Sequence, residues 1–269
     1  MAFDLHTHSC YSDGLLTPEQ LVARAKTVGL EGLALTDHDT LDGITRFLQA
    51  GQDEDILCLP GVELSTVYRG VECHILGYRI DHRHQGLQAR LAQVLRARQD
   101  RAKQMIERLA QHGLKLSWPE VVQYASGKFV GSVQIYRALK AKGLIGEDRE
   151  KKAFAYYLGP QGVAYVPHRD LSSVEAIALI KAAGGVPVLA HPGRTVGPSL
   201  IKDLTQHGLA GIEVYHPHHP PELITEYTAL AGELGLFVTG GSDFHGIPGE
   251  SELGLYHIEH RELERLLQN

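Results

Sequence analysis

An α/β fold of mostly parallel strands is predicted by three features of the sequence. Short apolar runs recur along the chain and alternate with stretches of helical periodicity. Nearly every apolar run delivers a histidine or a carboxylate, at the strand ends where parallel α/β folds place their chemistry. One segment, 81–164, carries little strand signal and reads as an inserted helical subdomain capping the strand ends. Residues 1–80 and 165–269 remain as the strand-bearing unit.

The first strand, Phe3-Asp4-Leu5, sets His6 and His8 two residues apart, so both imidazoles point to one side. Asp13 follows in a Ser12-Asp13-Gly14 turn that can bend its carboxylate back toward the strand end. Two nitrogen ligands and one oxygen ligand suit a first-row divalent metal, although half-buried histidines beside an ordinary turn would give the same pattern. Thr17-Pro18-Glu19-Gln20 starts a helix with a threonine N-cap, proline at N1 and a capping-box glutamine; Gly29 ends it. Gly32-Leu33-Ala34-Leu35-Thr36 completes a βαβ unit and delivers Asp37-His38-Asp39. The run 56–62 leads to Glu63, and 71–73 leads to His74. A carboxylate in an apolar strand, as at Glu63, is costly to bury unless paired or metal-bound.

Within the insertion, Leu87, Leu91, Leu95, Met105, Ile106 and Leu109 predict a long amphipathic helix, with shorter helices around 118–125, 132–142 and 148–157. Its basic residues Arg90, Arg96, Arg98, Arg101 and Lys103 read as a solvated face, with a guiding field for an anionic substrate as the second reading. Strands at 186–190, 211–215 and 236–242 then deliver His191-Pro192-Gly193-Arg194, His216-Pro217-His218-His219 and Asp243-Phe244-His245. Helices fit at 173–183, 199–207 and 221–234.

At 269 residues, 43% hydrophobic and 22% charged, the chain suits one large α/β domain with an insertion. No apolar run approaches the ~20 residues of a membrane span and no export signal opens the chain, so no membrane partner and a cytoplasmic location are expected. Cys10, Cys58 and Cys73 form no CxxC pair, which argues against a disulfide framework or a zinc knuckle. A net charge of −6 gives no support to a grip on long nucleic acid. Oligomeric state leaves no mark on the sequence.

Taken together, His6, His8, Asp13, His38, Glu63, His74, His191, Asp243 and His245 are too many ligands for one ion. They suit two or three divalent ions sharing a carboxylate, and a pair of ions about 3.5–4 Å apart is the usual clamp for displacement at phosphorus. The segments HTHSCYSDG (6–14), LTDHD (35–39), GVE (61–63), HILGY (74–78), AHPGR (190–194) and GSDFH (241–245) resemble the polymerase-and-histidinol-phosphatase (PHP) family of metal-dependent phosphoesterases. Their order is most similar to the stand-alone bacterial branch that includes 3′,5′-nucleoside bisphosphate phosphatases.

The resemblance implies a distorted (β/α)7 barrel and a cluster of up to three Mn, Fe or Zn ions. One ion would take His6, His8, Glu63 and Asp243. A second would take Asp13, His38 and His245, and a third His74 and His191, with Glu63 bridging to the first. The bisphosphatase-like branch is expected to carry an arginine and a histidine two apart in the insertion. Here Ser132 and Gln134 stand instead while Arg137 remains, leaving these three as candidate substrate contacts.

The expected reaction is hydrolysis of the phosphomonoester of a small phosphorylated substrate, a nucleotide or nucleoside 3′,5′-bisphosphate, by a hydroxide bridging two ions. Arg194 would hold the phosphate oxygens and His216 would protonate the leaving oxygen. His218 and His219 are expected as loop residues, and His168 and His207 without a role. The alternatives are an exonuclease on short oligonucleotides, a histidinol-phosphate phosphatase, and a non-catalytic metal-binding regulatory module.

Overall fold

In the computed structural model, which describes residues 2–145, 150–167, 170–193 and 196–268, the first βαβ unit forms as its caps predict. β1 (Ala2–Asp4) leads to α1 (Pro18–Thr27), where Thr17 and Gln20 close the capping box, and then to β2 (Gly32–Leu35), parallel to β1. The chain continues through α2 (Ile44–Glu54) to β3 (Leu57–Tyr68), parallel to β2, and turns back as β4 (Val71–Tyr78). β5 (Val186–Leu189), β6 (Gly211–Tyr215) and β7 (Phe237–Gly240) run parallel to one another, with β5 antiparallel to β4. Of these seven strands only β4 opposes the rest.

The strand order β7-β6-β5-β4-β3-β2-β1 closes on itself just past β1. Leu5 N–H donates to Gly240 O at 3.2 Å and His8 N–H to Phe244 O at 2.9 Å, which makes the sheet a distorted (β/α)7 barrel. The seam requires glycine at 241, because a Cβ there would lie 2.4 Å from the His6 backbone nitrogen. β8 (Ile258–Glu259) adds antiparallel to β1 outside the ring and leads into α10 (His260–Gln268).

Two kinds of feature depart from the sequence expectation. α2, β8 and α10 are additional elements. Glu63 and His74 stand inside strands and not at their ends: β3 and β4 run through them as one antiparallel hairpin, with Glu63 opposite Leu76 and Ser65 opposite His74. Both side chains therefore reach the site from mid-strand.

Between β4 and β5 lie α3 (Gln85–Gln111), α4 (Trp118–Val122), α5 (Ser132–Ala141), α6 (Glu150–Leu158) and α7 (Ser173–Ala182). α3 serves two cores. Its Leu87, Leu91 and Val94 pack with barrel residues such as Val62, Ile75 and Leu189. Further along, Met105, Ile106 and Leu109 pack with Val121 of α4 and with Ile135 and Leu139 of α5. α8 (Pro198–Gln206) and α9 (Pro221–Leu234) cover the later strands. Among the described residues, no helix is long and apolar enough to cross a membrane.

Candidate metal centre

Glu63 stands at the middle of the site, fully buried, with each carboxylate oxygen facing a different set of imidazoles. Oε1 lies 2.7 Å from His74 Nδ1 and 2.9 Å from His191 Nε2. Oε2 lies 3.2 Å from His6 Nε2, 3.3 Å from His8 Nε2 and 3.0 Å from His38 Nδ1. Asp243 Oδ1 completes the His6 and His8 side at 3.4 and 3.1 Å. Asp13 occupies the other side of His8, 3.3 Å from His245 Nε2 and 3.7 Å from both His8 Nδ1 and His38 Nε2. All nine sequence candidates thus meet in one place.

The donor set fits metal ions on three counts. Ligand atoms of His6, His8, Glu63 and Asp243 lie within 4.8 Å of one another, as do those of His8, Asp13, His38 and His245 and those of His38, Glu63 and His74. These groupings mix nitrogen and oxygen as first-row divalent ions require. Second, the buried atoms His8 Nδ1, Asp13 Oδ1 and His38 Nδ1 have polar neighbours within the ring but no aligned hydrogen bond, an arrangement that is expensive unless something else takes their lone pairs. Third, the site needs positive charge. Burial alone would push Glu63 up, yet the imidazoles of His38, His6 and His74 hold it well below the usual carboxylate range. Burial would likewise pull His8 down, but Asp243 and Glu63 carry it up to about 10. Cations would supply the charge that protons otherwise must.

A second tier of buried carboxylates holds these ligands in place. Glu213 Oε1 lies 2.9 Å from His6 Nδ1, and its Oε2 accepts the His191 backbone N–H at 2.9 Å. An ionised carboxylate can only accept, so the proton sits on His6 Nδ1 and the Nε2 lone pair faces the ring. Asp37 accepts from Ser9 N–H and from the Ser9 and Ser12 hydroxyls, pinning the loop that bears His8 and Asp13. Asp4 accepts from the amides of His6, Ser242 and Gly254, tying β1 to the Asp243 loop. Burial raises Asp4 to about 6, against the pull of those hydrogen bonds. His191, Asp243 and Asp39 all have positive φ (21°, 51° and 52°), conformations that non-glycine residues keep only where their surroundings enforce them.

A cavity of about 300 Å³ separates the ring from the insertion. Asp13, His38 and His74 line it from the barrel, and Arg98 and Arg101 from α3. Arg98 is no solvated residue: it is 7% exposed, donates to Asp39 and to Ser65 Oγ, and lies 4.5 Å over the Phe129 ring. The contact partners come from distant segments, which is why helical periodicity places Arg98 on a wet face.

The remaining candidates divide. Ser132 lines the cavity. Gln134 does not: it is fully buried, accepting from Gly131 N–H at 2.9 Å and donating to Ser12 O at 2.7 Å, so its amide is spent on backbone and unavailable as a substrate contact. Arg137 donates to Asp13 O at 2.6 Å and so braces a ligand loop. His216 is buried; its Nδ1 accepts the His218 N–H and its Nε2 faces Asp243 Oδ2 at 3.4 Å. His218 is exposed, but His219 is a buried brace and not a plain loop residue, with Nδ1 2.9 Å from Val214 O and Nε2 accepting Gly193 N–H. His207 is exposed at the end of α8. Arg194 and His168 lie outside the described residues. Sequence reasoning passed over Glu213, although it is a carboxylate in an apolar strand by the same rule that singled out Glu63.

Comparison with known proteins gives concordant matches. The PHP domain family matches residues 4–115. The chain is 34% identical to a 3′,5′-nucleoside bisphosphate phosphatase of Chromobacterium violaceum, over 95% of this chain and 91% of that protein. It is 36% identical to the 5′-3′ exoribonuclease Rnm of Salmonella typhimurium, over 90% and 85%. A crystal structure of a candidate metal-dependent phosphoesterase from Bifidobacterium adolescentis superposes with a TM-score of 0.92 at 32% identity, covering 99% of this chain and 95% of that one.

Proposed function

The chain belongs to the PHP family and is a metal-dependent phosphoesterase, and from that premise we propose that it hydrolyses the phosphomonoester of a nucleotide or nucleoside 3′,5′-bisphosphate. The observation that carries the reading is the cavity of about 300 Å³ between the ring and the insertion, lined by ring residues and by two arginines. That volume stands at the small end of ligand sites and suits one nucleotide better than an extended strand. Residues 81–164 act on this reading as a cap over a barrel built from 1–80 and 165–269, supported by the separate cluster that the cap helices form.

His6, His8, Glu63 and Asp243 would hold one divalent transition metal ion, and Asp13, His38 and His245 a second. His74 and His191 would join Glu63 around a third. When bound, such ions neutralise phosphate charge and bring the pKa of a water toward neutrality. The protein's own groups do the rest. Glu213, Asp37 and Asp4 keep the ring atoms aimed inward. Arg101 brings positive charge to the cavity wall, where Asp39 already balances Arg98, and Arg194 would pair with phosphate oxygens. His216, with its Nδ1 already accepting a backbone N–H, would carry its proton on Nε2, toward Asp243 and the ring.

Mn²⁺-loaded protein tested on adenosine 3′,5′-bisphosphate, AMP, histidinol phosphate and short RNA should release inorganic phosphate fastest from the bisphosphate. Faster release of mononucleotides from RNA would favour end-trimming of oligonucleotides, the activity named for the Salmonella relative. No turnover of any of them would overturn the proposal and favour a binding role.

A further inference from the structure

The cavity has two chemistries. The barrel side and α3 supply ligands and cations, whereas the cap supplies apolar surface from Val133 of α5, Phe154 and Leu158 of α6, and Pro160. A phosphate group has no use for the second wall. Phe154 is 38% exposed and is not among the buried residues that form the cap's core. Its ring is nevertheless held in orientation: Tyr136 meets it edge-on, with centroids 5.5 Å apart and planes at 80°. An exposed aromatic ring already fixed by a neighbour loses little freedom when a flat ligand stacks on it.

We propose that Phe154 is a stacking shelf for the base of a nucleotide whose phosphate lies at the metal ring. The inference rests on the phosphoesterase reading above and adds what distinguishes a nucleotide from a sugar phosphate at this site. The shelf is sequence-tolerant, since every base presents a π-face, and so gives selectivity for nucleosides as a class.

The test compares adenosine 3′,5′-bisphosphate with ribose 5-phosphate, using Mn²⁺-loaded wild type, Phe154→Ala and Phe154→Trp, with thermal melting as a control. Phe154→Ala should lower the ratio of kcat/KM between the two substrates by about tenfold, mainly through KM of the base-bearing one. Phe154→Trp should keep that ratio within about twofold, because a larger ring stacks as well. An unchanged ratio in Phe154→Ala, or an equal fall on both substrates with a lowered Tm, would overturn the shelf. Should wild type hydrolyse neither substrate, the phosphomonoesterase reading fails separately, and calorimetric titration with AMP decides the shelf. Equal AMP affinity in wild type and Phe154→Ala would then refute it.

Discussion

Glu213 does not line the cavity beside the ring, yet it holds two candidate ligands at once, the ring tautomer of His6 and the backbone of His191. Glu213→Ala leaves the His191 amide without its acceptor and frees His6 to place its proton on Nε2. Metal affinity should fall by about 10–100-fold, read by competition with a coloured chelator, while circular dichroism stays native. A variant that binds metal as tightly as wild type would show that the second tier is only packing. Arg194 makes the opposite prediction. Arg194→Ala should keep its metal and lose about 10²-fold in kcat/KM, with Arg194→Lys recovering part, because an ammonium lacks the planar two-pronged contact. A loss below about threefold would place Arg194 in a solvated turn.

At the scale of elements, α3 joins two hydrophobic clusters. Its N-terminal half packs with the barrel strands, its C-terminal half packs with α4 and α5, and between them Arg98 reaches Asp39 beside the candidate ligand His38. Arg98→Met strands a buried carboxylate and should cost about 3–5 kcal/mol in urea unfolding; adding Asp39→Asn should return part of it. Additive effects in the double variant would mean that the pair is not coupled. The helix itself was legible in the spacing of Leu87, Leu91 and Leu95, but its buried cation was not, since periodicity reports faces and not tertiary partners. The cluster of nine candidate residues was legible because each stands in or after an apolar run, where a polar group is conspicuous. α2 was missed; it carries Gly51, and glycine is a poor helix former. That glycine is required by packing, since a Cβ would lie 2.5 Å from Cys58 Sγ.

For the whole molecule, the ring is a concentration of buried charge that the fold tolerates only with compensation. Ions binding the native state alone stabilise it by about 2.7 kcal/mol at a hundredfold excess over Kd, so chelation should lower Tm by roughly 5–10 °C. Glu63→Gln, which removes the central carboxylate, should lose metal and activity together and show a smaller response to chelator; an undiminished response would exclude Glu63 as a ligand. The closure of the barrel has a consequence for biosynthesis. Asp4 and Ser242, 238 residues apart, meet at the seam, and His6 and His8 face Asp243 across it. During synthesis His6 and His8 therefore emerge long before Asp243, their carboxylate partner, exists. Until then any ion they capture is chosen by intrinsic affinity, which favours copper over manganese or iron. Only the finished barrel brings Asp243 against these imidazoles, so the candidate site is complete only when the seam has closed.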